Sequence, residues 1–232
     1  MIKIAGTNMK KLLIASVAMA ALVSTAQAQD SAFNWGGLYL GAEIGSAYST
    51  TDFAATDTDF AGDYGESALI GGVFAGYDWQ FGRFVYGLTA DIDFVQSADL
   101  AFGDEDALTG GKGEAYTYDV DWVSTARARL GYAPTDRLLV YGTGGMAAGH
   151  FEATSFSRPL IGDPASTAAY SGVKLGSVFG AGLDFALPND MSLKVEYLHY
   201  DFDSIAFIGE GVPGTSFNPK IDAVKFGLAY RF

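Results

Sequence analysis

Hydrophobic and polar residues alternate one by one over the last stretch of the chain. Val224, Phe226, Leu228, Tyr230 and Phe232 form one row, and Lys225, Gly227, Ala229 and Arg231 the other. A period of two puts successive side chains on opposite faces of an extended strand. The pattern recurs over residues 38–48, 69–79, 84–94, 117–132, 138–151, 173–187 and 191–200, which predicts eight strands. Residues 84–94 are among the clearest: Phe84, Tyr86, Leu88, Ala90, Ile92 and Phe94 oppose Val85, Gly87, Thr89, Asp91 and Asp93. Over 117–132, Trp122, Ala126, Ala128, Leu130 and Tyr132 oppose Asp121, Thr125, Arg127 and Arg129. In the glycine-rich fifth strand, Leu138, Val140, Met146 and Ala148 are placed together on one face.

The connections come in two sizes. Short turns are predicted at Gln80–Arg83, Ala133–Asp136 and Pro188–Asp190, and long loops at 49–66, 96–116, 152–170 and 203–219. An even number of strands joined alternately by short turns and long loops is the topology of an outer-membrane barrel. The fold class expected is therefore all-β: an eight-stranded antiparallel up-and-down transmembrane β-barrel with short periplasmic turns, long extracellular loops and both termini in the periplasm. A closed barrel also satisfies every backbone N–H and C=O where lipid offers no partner.

Charge separates the two faces. Within bilayer-length windows the apolar rows contain no Asp, Glu, Lys or Arg, although 18% of the chain is charged. The opposite rows carry Glu43, Asp78, Asp91, Asp93, Arg127, Arg129, Lys174, Asp184, Lys194, Glu196, Lys225 and Arg231. A basic residue facing lipid at the midplane costs about 2–4 kcal/mol, so the apolar row is expected against lipid and the charged row in the bore. Eight strands leave a bore that side chains fill. Six acids and six bases are expected to pair across it as a plug, whereas an ion-selective pore would favour one sign. Aromatic residues fall near both predicted ends of the strands: Trp79, Phe81, Phe84, Tyr132 and Phe232 near the short turns, Tyr48, Phe94 and Trp122 with His199 near the long loops. Interfacial rings prefer those levels.

The N-terminus reads as an address. Lys3, Lys10 and Lys11 precede an apolar run over 12–23, and Ala26-Gln27-Ala28 has the small-x-small spacing of a signal peptidase site. Residues 1–28 are expected to be a cleaved signal peptide and 29–232 the barrel domain, located in the outer membrane of a Gram-negative cell. Cleavage would remove three lysines and no acids, taking the formal charge from −13 to −16. A chain this acidic is not expected to bind nucleic acid. It has no cysteine, so neither disulfides nor thiolate chemistry enter. Thirty glycines beside 13 Tyr and 17 Phe disfavour helices and suit strands between two media.

Several segments resemble a known family. Trp35-Gly36-Gly37-Leu38-Tyr39-Leu40-Gly41, Ala128-Arg129-Leu130-Gly131-Tyr132, Tyr141-Gly142-Thr143-Gly144-Gly145-Met146-Ala147, Leu193-Lys194-Val195-Glu196-Tyr197-Leu198 and the terminal Phe226–Phe232 segment look like the small porin-like outer-membrane barrels of alphaproteobacteria, related to the OmpA transmembrane domain. The resemblance implies delivery by periplasmic chaperones to the barrel-assembly machinery. That machinery reads an aromatic-ended last strand, here Phe226, Leu228, Tyr230 and Phe232. It also implies roles in envelope integrity and surface contact, with some members acting as pores or haem binders. The peptidoglycan-binding domain of full OmpA has no counterpart after this barrel, so that tethering role is not implied.

Candidate chemistry is sparse. The chain has two histidines, His150 and His199; His199 is placed on the lipid-facing row without the serine and acid that a lipid A-modifying site would need. Asp104-Glu105-Asp106 and the set Asp52, Asp57, Asp59 and Asp63 lack the register of a calcium loop and read as solvated loop charge. Gly110-Gly111-Lys112-Gly113 lacks the strand and helix context of a phosphate loop. No catalytic residue, cofactor or defined metal site is expected. The expected role is a structural, surface-exposed barrel surrounded by outer-membrane lipid and lipopolysaccharide. The alternatives are a small pore, a loop-mediated binder of haem, host or phage and, more remotely, a lipid A-modifying enzyme.

Overall fold

The computed structural model describes residues 33–54, 64–96, 100–103, 113–158, 166–203, 205–206 and 216–232. The expected signal peptide and cleavage site lie outside them, as do Asp57, Asp59, Asp63, Asp104, Glu105, Asp106 and the Gly110–Lys112 part of the glycine-rich patch. Eight long strands form the wall: β1 (Gly37–Ala54), β2 (Tyr64–Phe81), β3 (Phe84–Gln96), β4 (Gly113–Thr135), β5 (Leu138–Arg158), β6 (Ser166–Ala186), β7 (Met191–Phe202) and β8 (Ser216–Arg231). Two short segments extend it, Leu100–Gly103 paired to β4 and Ile205–Ala206 paired to β8. Each strand pairs antiparallel with its sequence neighbour, and β1 pairs with β8 from Tyr39↔Arg231 to Ala54↔Ser216. That last ladder closes the ring. Over the span shared by all eight strands no edge is left for another chain to extend.

All eight predicted faces are seen. Leu130 is 71% exposed and Leu88 59%, whereas their neighbours Arg129 and Thr89 are buried. The strands run further than the alternation predicted, by two or three residues at Phe81 and Thr135 on the turn side and by far more at the loop end. β5 continues to Arg158 and β8 begins at Ser216, well inside segments expected to be loops. The reason is physical: beyond the hydrocarbon the outer face no longer has to be apolar, so the two-residue period fades while the backbone ladder continues.

One residue departs from its predicted face. Asp121 was expected on the inward row of β4, but the pairing of β4 with β5 slips between Val120 and Trp122. Val120 and Val123 are buried and Asp121 is exposed. A β-bulge inserts one unpaired residue and re-aims its side chain, and here it turns a carboxylate out of the bore.

Small inward residues make room for rings. A Cβ at Gly41 would lie 2.3 Å from Phe74, and one at Gly76 would lie 2.2 Å from the Tyr39 hydroxyl. The glycines of the inner face thus let aromatic side chains lie flat across a narrow bore.

Candidate functional site

The bore is filled in three levels. At the short-turn end, Phe33 to Gly36 fold across the mouth: Phe33 N–H donates to the Asp136 carbonyl (3.1 Å) and Trp35 N–H to the Gln80 side chain (2.7 Å). Trp35 is fully buried and packs with Val85, Ala133, Leu139, Tyr141 and Ala186 as an apolar cork. Trp35 lies outside the first strand that the alternation predicts, 38–48, and has no part in the pattern. Gly37 allows the fold-back, since its φ is +120° and a Cβ there would lie 2.7 Å from the Phe232 carbonyl.

Above the cork lies an ionic level that holds eleven of the twelve charged residues predicted for the bore, all buried. It has two parts. In the lower, Arg129 grips Asp78 with two bonds, Nε to Oδ1 at 2.9 Å and Nη2 to Oδ2 at 2.7 Å, and reaches Asp184 at 3.1 Å. Its guanidinium lies over the rings of both Tyr39 and Tyr141, at 5.2 and 4.6 Å from their centroids. Arg231 also reaches Asp78 (3.1 Å) and donates to the Trp35 carbonyl, which ties the last strand to the cork.

In the upper part, Arg127 donates a hydrogen bond to Asp91 (2.6 Å) and forms an ion pair with Glu196 (3.1 Å), and Lys194 forms one with Glu43 (2.6 Å). Lys225 sits among Glu43 (3.2 Å), Asp91 (3.5 Å) and Asp93. Thr125 donates to Asp91 (2.5 Å), and Tyr141 donates to Glu196 (3.0 Å), joining the two parts. β3 and β8 are not neighbours in the ring, so the Lys225–Asp91 and Lys225–Asp93 contacts span the bore. The void bounded by Tyr39, Phe74, Arg129, Tyr141 and Lys194 measures about 10 Å³, no more than one water needs.

Lys174 corrects the expected balance. It lies half-exposed with its ammonium 5.3 Å from the Tyr170 ring, outside the buried set. The level therefore contains six acids (Glu43, Asp78, Asp91, Asp93, Asp184, Glu196) and five bases (Arg127, Arg129, Lys194, Lys225, Arg231). The exact neutrality read from twelve residues does not hold for the eleven. Residue 174 falls near the outer end of the span, where the inner face is no longer closed over.

The third level was not foreseen. Toward the loop end, Ile70, Val120, Val123, Phe151, Val178, Leu198, Tyr200, Phe202 and Ile221 pack into one apolar cluster inside the barrel. Phe151 meets Phe202 at 4.9 Å. A signal existed: over Leu198–Phe202 the inward positions Leu198, Tyr200 and Phe202 are apolar and the outward ones, His199 and Asp201, are polar, the reverse of the alternation lower in the same strand.

The outer face shows rings around the turn end, with Trp79 stacked on Tyr86 (5.5 Å), Phe84 against Tyr132 (5.3 Å) and Tyr230 against Phe232 (4.9 Å). Phe226, Leu228, Tyr230 and Phe232, the predicted assembly signal, all lie on this outward row. Of the two histidines, His199 lies near the loop end with Nδ1 2.8 Å from Asp222, which also accepts from Tyr197 (2.5 Å). His150 Nδ1 is 2.6 Å from the bulged Asp121.

A closed ring of eight strands with an apolar exterior and a filled bore narrows the comparison to one kind of protein. The family model described as the outer membrane protein beta-barrel domain matches residues 15–232. The chain belongs to this family. Its relatives include the 31 kDa outer-membrane immunogenic protein of Brucella melitensis, 34% identical over 97% of this chain and 100% of that protein. The 22 kDa outer membrane protein of Rhizobium leguminosarum bv. viciae is 28% identical over 86% of this chain and 79% of its own length. Among solved structures, Ail of Yersinia pestis is similar at 18% identity and TM-score 0.44, covering 85% of this chain and 99% of that one. OprG of Pseudomonas aeruginosa is similar at 15% identity and TM-score 0.47, covering 88% and 100%. The family and its named relatives place this barrel in the outer membrane.

Proposed function

We propose that this outer-membrane β-barrel is a structural, surface-exposed component of the envelope rather than a channel or an enzyme. The observation that carries the reading is the filling of the bore: an ion-paired level held between an apolar cork at the periplasmic end and an apolar cluster at the outer end. Permeation would require breaking buried charge pairs and wetting two dry layers. Its work is then done by its outer surfaces, as a lipid-embedded cylinder and through its extracellular loops. Relatives named as outer-membrane immunogenic proteins support an exposed surface. Chaperones and the barrel-assembly machinery are the proposed partners during biogenesis, with the row Phe226, Leu228, Tyr230 and Phe232 as the assembly signal; lipopolysaccharide is the proposed partner afterwards, and an extracellular ligand would meet the loops.

Single-channel recording in planar bilayers tests this. The expected result is no stable unitary conductance. Uniform conductance steps whose selectivity changes in Glu43→Gln or Arg127→Met would establish a pore instead. Detergent sensitivity of a deletion strain, restored by the intact gene, tests the envelope role.

A further inference from the structure

The geometry points to a divalent transition-metal site on the outer face of the barrel, formed by Asp121, His150 and Glu152. One donor atom from each lies within 4.8 Å of the others. A zinc ion with bonds of about 2.1 Å holds its donors about 3.4 Å apart, and the side chains that would close to that spacing are exposed at Asp121 and Glu152 and half-exposed at His150. The site is made by the bulge in β4. Without the register slip at Asp121, an inward carboxylate would leave His150 and Glu152 as two residues on a strand; with it, a third donor from the neighbouring strand joins them.

Supporting groups hold the donors in place. The His150 ring stacks at 19° on Trp122, its partner across the ladder, and Ser171 of β6 donates to Glu152 Oε1 (3.3 Å). A ligand set of one imidazole and two carboxylates is mixed nitrogen and oxygen. That suits Zn²⁺ and related first-row ions, whereas Ca²⁺ and Mg²⁺ take oxygen alone. Three protein donors leave at least one position open to water or to an anionic group outside the barrel. The position is at the outer aromatic level marked by Trp122, so that open position faces the boundary between the lipid and the cell exterior.

Titration of the folded full-length chain in detergent micelles with Zn²⁺ alone, against a chromophoric zinc competitor and in millimolar Mg²⁺, tests the assignment. One tight equivalent per chain is expected. It should weaken by about tenfold or more in His150→Ala, Asp121→Asn and Glu152→Gln, the scale seen even when an outer partner of a ligand is lost. His199→Ala, which leaves these three residues in place, should bind as the unaltered chain does. Co²⁺ loading gives a second readout, a visible absorption band lost with His150. Several weak equivalents removed by Mg²⁺, or one tight equivalent indifferent to all three substitutions, would overturn the site. Glu152→Gln, on the exposed surface, keeps the test decisive if a substitution at His150 prevents folding.

Discussion

At the scale of the residue, the molecule turns on how charges are held away from water. Arg129 has two bonds to Asp78, one to Asp184 and two aromatic rings against its guanidinium. A buried pair is weak evidence for stability as it stands, but removing one partner leaves the other charged and uncompensated, at a cost of about 3–5 kcal/mol. Arg129→Met should lower the unfolding free energy in urea by about that much. Arg129→Lys should recover only part of it, because an ammonium lacks the planar fork that meets Asp78 twice. Lys174→Met, outside the buried set, should stay within about 0.5 kcal/mol of the parent. Equal stability of all four proteins in lipid vesicles would remove the ionic level from the account.

At the scale of the element, position along a strand decides what a substitution does. Leu130 and Arg129 are adjacent, yet one faces lipid and the other the bore. Leu88→Arg, midway between the aromatic levels of Phe84 and Phe94 on the outward row, should cost about 2–4 kcal/mol, a loss readable as a lower urea midpoint for the folded band on an unheated gel. Gly37 and Gly82 both have positive φ, but a Cβ at Gly37 would meet the Phe232 carbonyl while one at Gly82 meets nothing within 4 Å. Gly37→Ala should therefore be the more damaging of the two, by about 1–3 kcal/mol, in the same assay.

Much of this architecture was legible in the sequence because a bilayer enforces a binary code. Over Phe84–Phe94 the medium on one side is oil, so every second residue must be apolar and the period is unbroken. The code fails where its physical cause stops. Above the hydrocarbon, β5 and β8 continue without alternation, so their outer ends looked like loops. At Asp121 an unpaired residue shifts the parity, and one inserted residue has no signature in a two-letter pattern. Inside the bore, Arg127 and Glu196 were visible as charges on an otherwise hidden face, but the level at which each meets its partner follows from strand stagger. Trp35 was invisible as a cork because nothing in Trp-Gly-Gly reports that the chain doubles back.

At the scale of the whole molecule, closure of β1 onto β8 makes the wall continuous and fixes an inside and an outside. The outside is a hydrophobic belt with exposed rings. The inside alternates dry, ionic and dry along the axis. On the function proposed above, this order leaves the outer surface and loops to do the protein's work. The absence of cysteine permits a direct test, because single cysteines can be introduced one at a time on an unreactive background. An environment-sensitive fluorophore placed at Leu88, Leu130 or Val195 in the folded barrel in vesicles should be quenched by lipids brominated in the acyl chain. Thr89, Thr143 and Ser192, on the opposite face, should resist labelling until the protein is unfolded. Acyl-chain quenching at Thr89 and Thr143 with protection at Leu88 and Leu130 would contradict the account.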